Sequence, residues 1–208
     1  MRDVQTESLW SHLLGEAMAG KLKGRTLEII PSSMTDWRTW KSRHPDTTVA
    51  VLSRTARRFT NQMYQDPTGF VIGYVDRGKA RAWSFRHLKA ERVINDTWSG
   101  RPILVVYDPS SGTALLFSRE LEGREFHFSW KDNNLNDRET GSEWDWATGK
   151  ATAGAMQGKV LQPLTGVVSF RRAWQEFHPD TDYWKPADGD DKDGVDHGGG
   201  KRDRSGTG

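Results

Sequence analysis

The stretch Thr140–Gly154, TGSEWDWATGKATAG, has a near echo at Thr6–Gly20, TESLWSHLLGEAMAG, and the echo continues at a fixed offset of 134 residues. Asp3 aligns with Asp137, Thr6 with Thr140, Ser8 with Ser142 and Trp10 with Trp144. The same register matches Gly15 with Gly149, Gly20 with Gly154, Leu27 with Leu161 and Trp40 with Trp174. It ends on His44–Thr47 (HPDT) against His178–Thr181 (HPDT). Sixteen identities over 45 ungapped positions mark an internal duplication, in which each copy is expected to be one folding unit.

The copies differ in extent. About seventy residues of strand-rich text, from Phe70, precede the matched block of the second copy, whereas the first copy begins inside its matched block. The expected organisation is the C-terminal part of a first unit at 1–47, a strand and polar connector at 48–69, a complete second unit at 70–184 and a polar tail at 185–208. A half-unit has open strand edges and too few apolar partners to offset chain entropy, so it should borrow a partner or be poorly ordered. This favours missing upstream sequence over the competing readings: a short native chain, an engineered cut or a start assigned too late.

With 208 residues, size does not limit burial of a core. Thirty Lys and Arg against 28 Asp and Glu are nearly balanced and interspersed, which argues against a nucleic-acid partner. The absence of cysteine excludes disulfides, thiolate metal sites and a Cys nucleophile in these residues. The start MRDVQTESLW lacks secretory character and no run approaches the ~20 apolar residues of a membrane helix. On the residues alone the chain reads as soluble and unexported.

From Phe70 the text is β-rich: FVIGYV, KARAWSF, RPILVVY, TALLFSR and REFHFSW are separated by turn-prone Asp76–Gly78, Ser99-Gly100, Asp108–Gly112 and Glu122-Gly123. Such spacing predicts a mainly β fold, an antiparallel sandwich or barrel-like sheet with short helices, internally duplicated. Arg86–Ala90 is expected to add a helical turn. Ser33 with Asp36, and Ser169, are expected to cap helices bearing Trp37 and Trp40 in the first copy and Phe170, Trp174 and Phe177 in the second. Each helix stops before Pro45 or Pro179. TLEII (Thr26–Ile30) and KVL (Lys159–Leu161) read as short strands, as does TVAVLS from Thr48 ahead of a connector with Arg54, Arg57 and Arg58. After Trp184 the Gly- and Asp-rich text cannot bury enough surface to fold. A calcium loop there is disfavoured, since Gly189 and Gly200 stand where the first and last ligands belong.

Four segments in order resemble an uncharacterised bacterial family, domain of unknown function 3179. They are RVINDTWSGRPILVVY (Arg92–Tyr107), SGTALLFSRELEGREFHF (Ser111–Phe128), DRETGSEWDWATGKATAG (Asp137–Gly154) and SFRRAWQEFHPDT (Ser169–Thr181). The resemblance implies an extracytoplasmic, periplasmic or membrane-anchored setting and, in some members, selenocysteine. It also implies a Cys-Pro-Leu-Cys-Gly-like stretch where this chain has Asp108-Pro109-Ser110-Ser111-Gly112, so both sulfur positions are replaced here. A sulfur pair, or a selenocysteine codon read as stop, in the missing front half would explain the start at Met1.

Without cysteine, the candidate binding residues are Asn95, Asp96, Asp108, Arg119, Asp137, Thr140, Ser142 and Trp144; no catalytic or metal residue and no cofactor is expected. Ser142 lacks a nucleophile elbow. Recurrence of Asp137, Thr140, Ser142 and Trp144 as Asp3, Thr6, Ser8 and Trp10 points to a fold requirement rather than catalysis. Two other readings stay open: the remnant of a thiol, selenol or metal-dependent enzyme, and a glycan-binding module using Trp83, Trp98, Trp130 or Trp146. The leading reading is a noncatalytic binding or structural unit of an extracytoplasmic protein, with a protein or glycan ligand.

Overall fold

The computed structural model describes residues 1–49 and 69–187. The TVAVLS strand beyond Val49, the arginine connector, the distal tail and the calcium reading lie outside the described residues.

The fold is mainly β and layered, with no closed barrel among the described residues. β3 (Phe70–Asp76) and β4 (Lys79–Ser84) make a hairpin. β14 (Val167–Phe170) lies antiparallel beside β3, and β15 (Asp182–Tyr183) lies parallel beside β4. A second sheet has the order β5 (Val93–Trp98), β6 (Arg101–Asp108), β7 (Thr113–Ser118). A third runs β10 (Phe128–Lys131), β11 (Asn134–Asp137), β12 (Glu143–Asp145), β13 (Lys150–Ala153).

Strand periodicity assigns each face its layer. Ile72 and Tyr74 of β3, with Trp83 of β4, meet Ile103, Val105 and Tyr107 of β6 in one core. The alternate β6 residues, Leu104 and Val106, meet Phe117, Phe126, Phe128, Leu135, Trp144 and Leu161 in the next. β6 is covered on both faces, which is why RPILVVY reads as an unbroken apolar run rather than an alternation. The outer face of the β3–β4 hairpin carries Val71, Gly73, Ala80 and Ala82, beneath the buried indole of Trp174.

Trp174 belongs to α3 (Arg171–Phe177); α2 (Phe85–Glu91) crosses from β4 to β5 and buries Phe85 and Leu88. The expected turn at Arg86–Ala90 is thus a seven-residue helix capped by Ser84, whose hydroxyl accepts the His87 N–H at 3.3 Å. At α3 the expected Ser169 cap is not made: the helix begins at Arg171, so Phe170 occupies the cap position without a side-chain bond and Ser169 lies one residue too early.

The first copy has β1 (Leu9–Ser11), β2 (Glu16–Ala19) and α1 (Trp37–Arg43). Asp36 alone caps α1, accepting from the Thr39 N–H at 3.0 Å, and the expected Ser33 box is not formed. TLEII and KVL make only single bridges, Glu16 to Thr26 and Lys150 to Val160, instead of strands. REFHFSW is split at Phe126 and the half-buried His127 into β9 (Arg124–Glu125), paired with β8 (Glu120–Leu121), and the start of β10.

Both copies close their helices identically. His44 and His178 are the C-caps, their N–H groups donating to Trp40 and Trp174 carbonyls, and their rings lie on those indoles at centroid distances of 4.0 and 4.2 Å. Trp40 Nε1 donates to Thr47 Oγ1 at 3.0 Å, and Trp174 Nε1 to Thr181 Oγ1 at 2.9 Å. Arg43 of α1 reaches the second copy, 3.3 Å from the Asp145 carboxylate and over the Trp146 ring.

Candidate functional site

The eight candidate residues fall in three places. Asp137, Thr140, Ser142 and Trp144 form one local network at β11 and β12. The Asp137 carboxylate accepts the Thr140 N–H at 2.6 Å and the Trp144 indole N–H at 2.9 Å. Thr140 and Ser142 hydroxyls are 2.7 Å apart, and Ser142 Oγ accepts the Met156 N–H at 3.0 Å. Every bond recurs in the first copy: Thr6 N–H to Asp3 at 2.6 Å, Trp10 Nε1 to Asp3 at 3.0 Å, Thr6 and Ser8 hydroxyls at 2.7 Å, and Leu22 N–H to Ser8 at 3.1 Å. The tryptophan and threonine bonds hold the Asp3 carboxyl down to about 2, below its ordinary 3.8.

Asn95, Asp96 and Arg119 are gathered where β5 meets its neighbours. The Asn95 amide donates to the Phe128 carbonyl and accepts the Phe128 N–H, both at 2.8 Å, so one side chain extends the ladder from β5 to β10. Asp96 accepts from Arg81 at 2.9 Å and 3.1 Å and from the Trp83 indole at 3.0 Å. Arg119 is buried, and its guanidinium donates to the carbonyls of Ile103, Phe126 and Asp96 at 2.9–3.1 Å and to Glu125 at 2.7 Å. Four acceptors in the plane of one guanidinium match its fixed fork of donors.

Asp108 stands apart, at the end of β6. Its carboxylate accepts from Ser110 N–H (3.1 Å) and Oγ (2.7 Å), and from Ser111 N–H (3.2 Å) and Oγ (2.6 Å). Burial pushes this carboxyl up, but the Ser111 and Ser110 bonds outweigh it and hold the group below its ordinary value. The Ser111 hydroxyl is also 2.7 Å from Thr113 Oγ1.

Beside this loop opens a cavity of about 530 Å³, lined by Phe70, Phe85, Lys89, Tyr107 and Pro109–Gly112 of the second copy and by Met34, Thr35 and Asp36 of the first. Phe85 and Tyr107 meet edge to face at 5.4 Å and supply an aromatic floor. Burial, followed by the Asp108 charge, raises the Tyr107 phenol, so it stays a neutral donor. Thr35 Oγ1 is shielded from solvent without a hydrogen-bond partner. An apolar floor with a few polar groups at the rim is the usual make-up of a small-ligand site.

Sequence reasoning found Asp108 but not Phe70, Phe85, Lys89, Tyr107 or Met34–Asp36 around it. A legible signal was the Pro-Ser-Ser-Gly turn directly after a doubly covered strand. Among the described residues, no group of three or more His, Cys, Asp or Glu is placed to hold a metal ion.

The sequence model of the family described as "Protein of unknown function (DUF3179)" matches twice, at residues 1–69 and 58–193. The chain belongs to the DUF3179 family. Comparison with curated proteins and with solved structures gave no match. The two DUF3179 matches overlap, and each contains one of the Asp-Thr-Ser-Trp networks. This DUF3179 chain places Asp108 and Ser111 in direct hydrogen bond.

Proposed function

We propose that this DUF3179 chain is a noncatalytic binding or structural unit of an extracytoplasmic protein, and that its ligand enters the cavity beside Asp108–Gly112. The observation that carries this reading is the composition of the cavity wall. Aromatic rings, serine hydroxyls and the Lys89 side chain of the second copy face Met34, Thr35 and Asp36 of the first, while the Ser111 hydroxyl is held by Asp108 and Thr113. A serine that donates to a carboxylate already accepting three other bonds lacks the base a nucleophile needs. The ligand expected is small, partly apolar and hydrogen-bonding, and the cavity lies within the size range of such sites.

The test is a fragment screen followed by NMR of the full chain. Binding should shift the Ser110–Gly112 amides and be weakened at least tenfold by Phe85→Ala. Turnover of any bound fragment, or shifts confined to other surfaces, overturns the reading.

One distance favours a second reading, the remnant of a thiol or selenol redox enzyme. The side chains at positions 108 and 111 point at one another, with Asp108 Oδ2 and Ser111 Oγ hydrogen-bonded at 2.6 Å, as a sulfur pair at these positions would require. The double variant Asp108→Cys, Ser111→Cys should then form a disulfide reversibly on oxidation. The glycan reading fares less well: the rings of Trp98, Trp130 and Trp146 lie under the guanidinium groups of Arg81, Arg92 and Arg43 at 5.2, 4.2 and 5.0 Å, and Trp83 is buried. A guanidinium on one face of each of these indoles competes with sugar stacking there.

A further inference from the structure

The second copy shows what its closing elements are built to hold, and the first copy presents the same elements without it. In the second copy β14 and β15 flank the β3–β4 hairpin, and Trp174 lies over Gly73. At the 134-residue offset β14 corresponds to Ser33–Asp36 and β15 to Thr48–Val49, and neither segment has a strand partner among the described residues.

Exposure follows the same division. Leu161, Leu164 and Trp174 are 0%, 8% and 1% exposed, and each enters a different one of the three cores. Their counterparts Leu27, Ile30 and Trp40 are 56%, 77% and 37% exposed. The helix between the open edges is nevertheless finished: C-cap angles of −130° and 70° in α1 against −131° and 70° in α3, with the same Trp–Thr bond and Trp–His stacking. A finished clamp with bare apolar contacts is preorganised to receive strands, because little ordering remains to oppose binding.

We propose that the first copy is an acceptor for a β-hairpin of the β3–β4 pattern, carried by a front half-unit of this same repeat. The hairpin enters between Ser33–Asp36 and Thr48–Val49. One strand runs antiparallel to the former segment, the other parallel to the latter, and a glycine lies beneath Trp40. The glycine is required because a Cβ at Gly73 would lie 2.3 Å from Cη2 of the overlying indole. The acceptor edge shares Met34, Thr35 and Asp36 with the wall of the Asp108 cavity, but the proposal rests on strand pairing and on no ligand in that cavity.

The test uses the full chain labelled with 5-fluorotryptophan, the Trp40 signal being assigned with Trp40→Phe. The probe is a synthetic peptide of residues 70–84; because a free hairpin of that length is marginally stable, the same segment is also fused through a flexible linker ahead of Met1. The expected result is that the solvent-isotope shift of Trp40 is lost with the wild-type segment and retained when the segment carries Gly73→Val. Three results overturn the proposal: a shift unchanged by the fused wild-type segment, an equal loss with Gly73→Val, or loss of the shift on raising the chain's own concentration without either probe. The last would assign the face to a second copy of the chain.

Discussion

Trp174 lies so close over Gly73 that a Cβ on the glycine would sit 2.3–2.6 Å from three atoms of the indole. This contact joins α3 to the β3–β4 hairpin and sets the small residues around it: Ala82 is the register partner of Gly73, and Ala80 lies two positions away on the same face. Gly73→Val should therefore overpack the layer and destabilise the chain by ~1–3 kcal/mol, read as a fall in the urea midpoint at constant slope.

The duplicated tryptophans make a matched pair for a second measurement. Trp174→Ala removes a buried ring from a packed layer and should cost ~3–5 kcal/mol. Trp40→Ala removes a partly exposed ring with the same hydrogen bond and should cost under ~1 kcal/mol in the isolated chain. Equal effects would show that the two helices are equally packed in solution.

Arg119 donates to the buried carbonyls of Ile103 and Phe126 and to the part-buried carbonyl of Asp96. Arg119→Met keeps much of the volume but orphans those acceptors, with an expected loss of about 3 kcal/mol in chemical denaturation. Arg119→Lys should rescue little of it, since one ammonium cannot replace a planar fork reaching the carbonyls of Ile103, Phe126 and Asp96 together.

Acid should open the first network in a defined window. The folded-state value of Asp3, about 2, is lowered from 3.8 chiefly by the Trp10 indole and the Thr6 bonds. A depressed carboxyl contributes in full above its unfolded value and loses that contribution as pH falls through the folded one. The Trp10 indole proton signal should therefore hold its position down to pH near 4 and move between 4 and 2. Asp3→Asn should abolish that transition; a Trp10 signal that moves at higher pH would contradict the assignment.

Gly154 has φ of +87°, and a Cβ there would approach Ser142 Oγ at 2.6 Å and Cα at 2.8 Å. Gly154→Ala should cost roughly 2 kcal/mol by combining left-handed strain with displacement of that hydroxyl, and thermal denaturation would register it.

Apolar strands and the duplication were legible because both are written in residue type and spacing. FVIGYV, KARAWSF, RPILVVY and TALLFSR match β3, β4, β6 and β7 to within a residue or two. β5 escaped notice because VINDTW carries Asn95 and Asp96 side by side, which resembles a turn. In the fold their side chains bind the Phe128 backbone and Arg81, both remote in sequence. Capping was misjudged for a local reason, since Ser33 and Asp36 have a familiar spacing, yet the aspartate alone is placed to take the first free N–H. The cavity was only half visible: Asp108 announced its loop, whereas Phe70, Phe85 and Met34 come together through layer packing that no spacing encodes.

The Asp-Thr-Ser-Trp network has a kinetic meaning as well. Its longest reach, from Ser142 to Met156 or from Ser8 to Leu22, spans fourteen positions, and its other links are shorter. Loop closures of that length occur in well under a microsecond, far ahead of the pairing of β14 with β3 across nearly a hundred residues. Each copy should thus be able to form its network on a nascent chain, in the second copy before β14 and β3 have found one another.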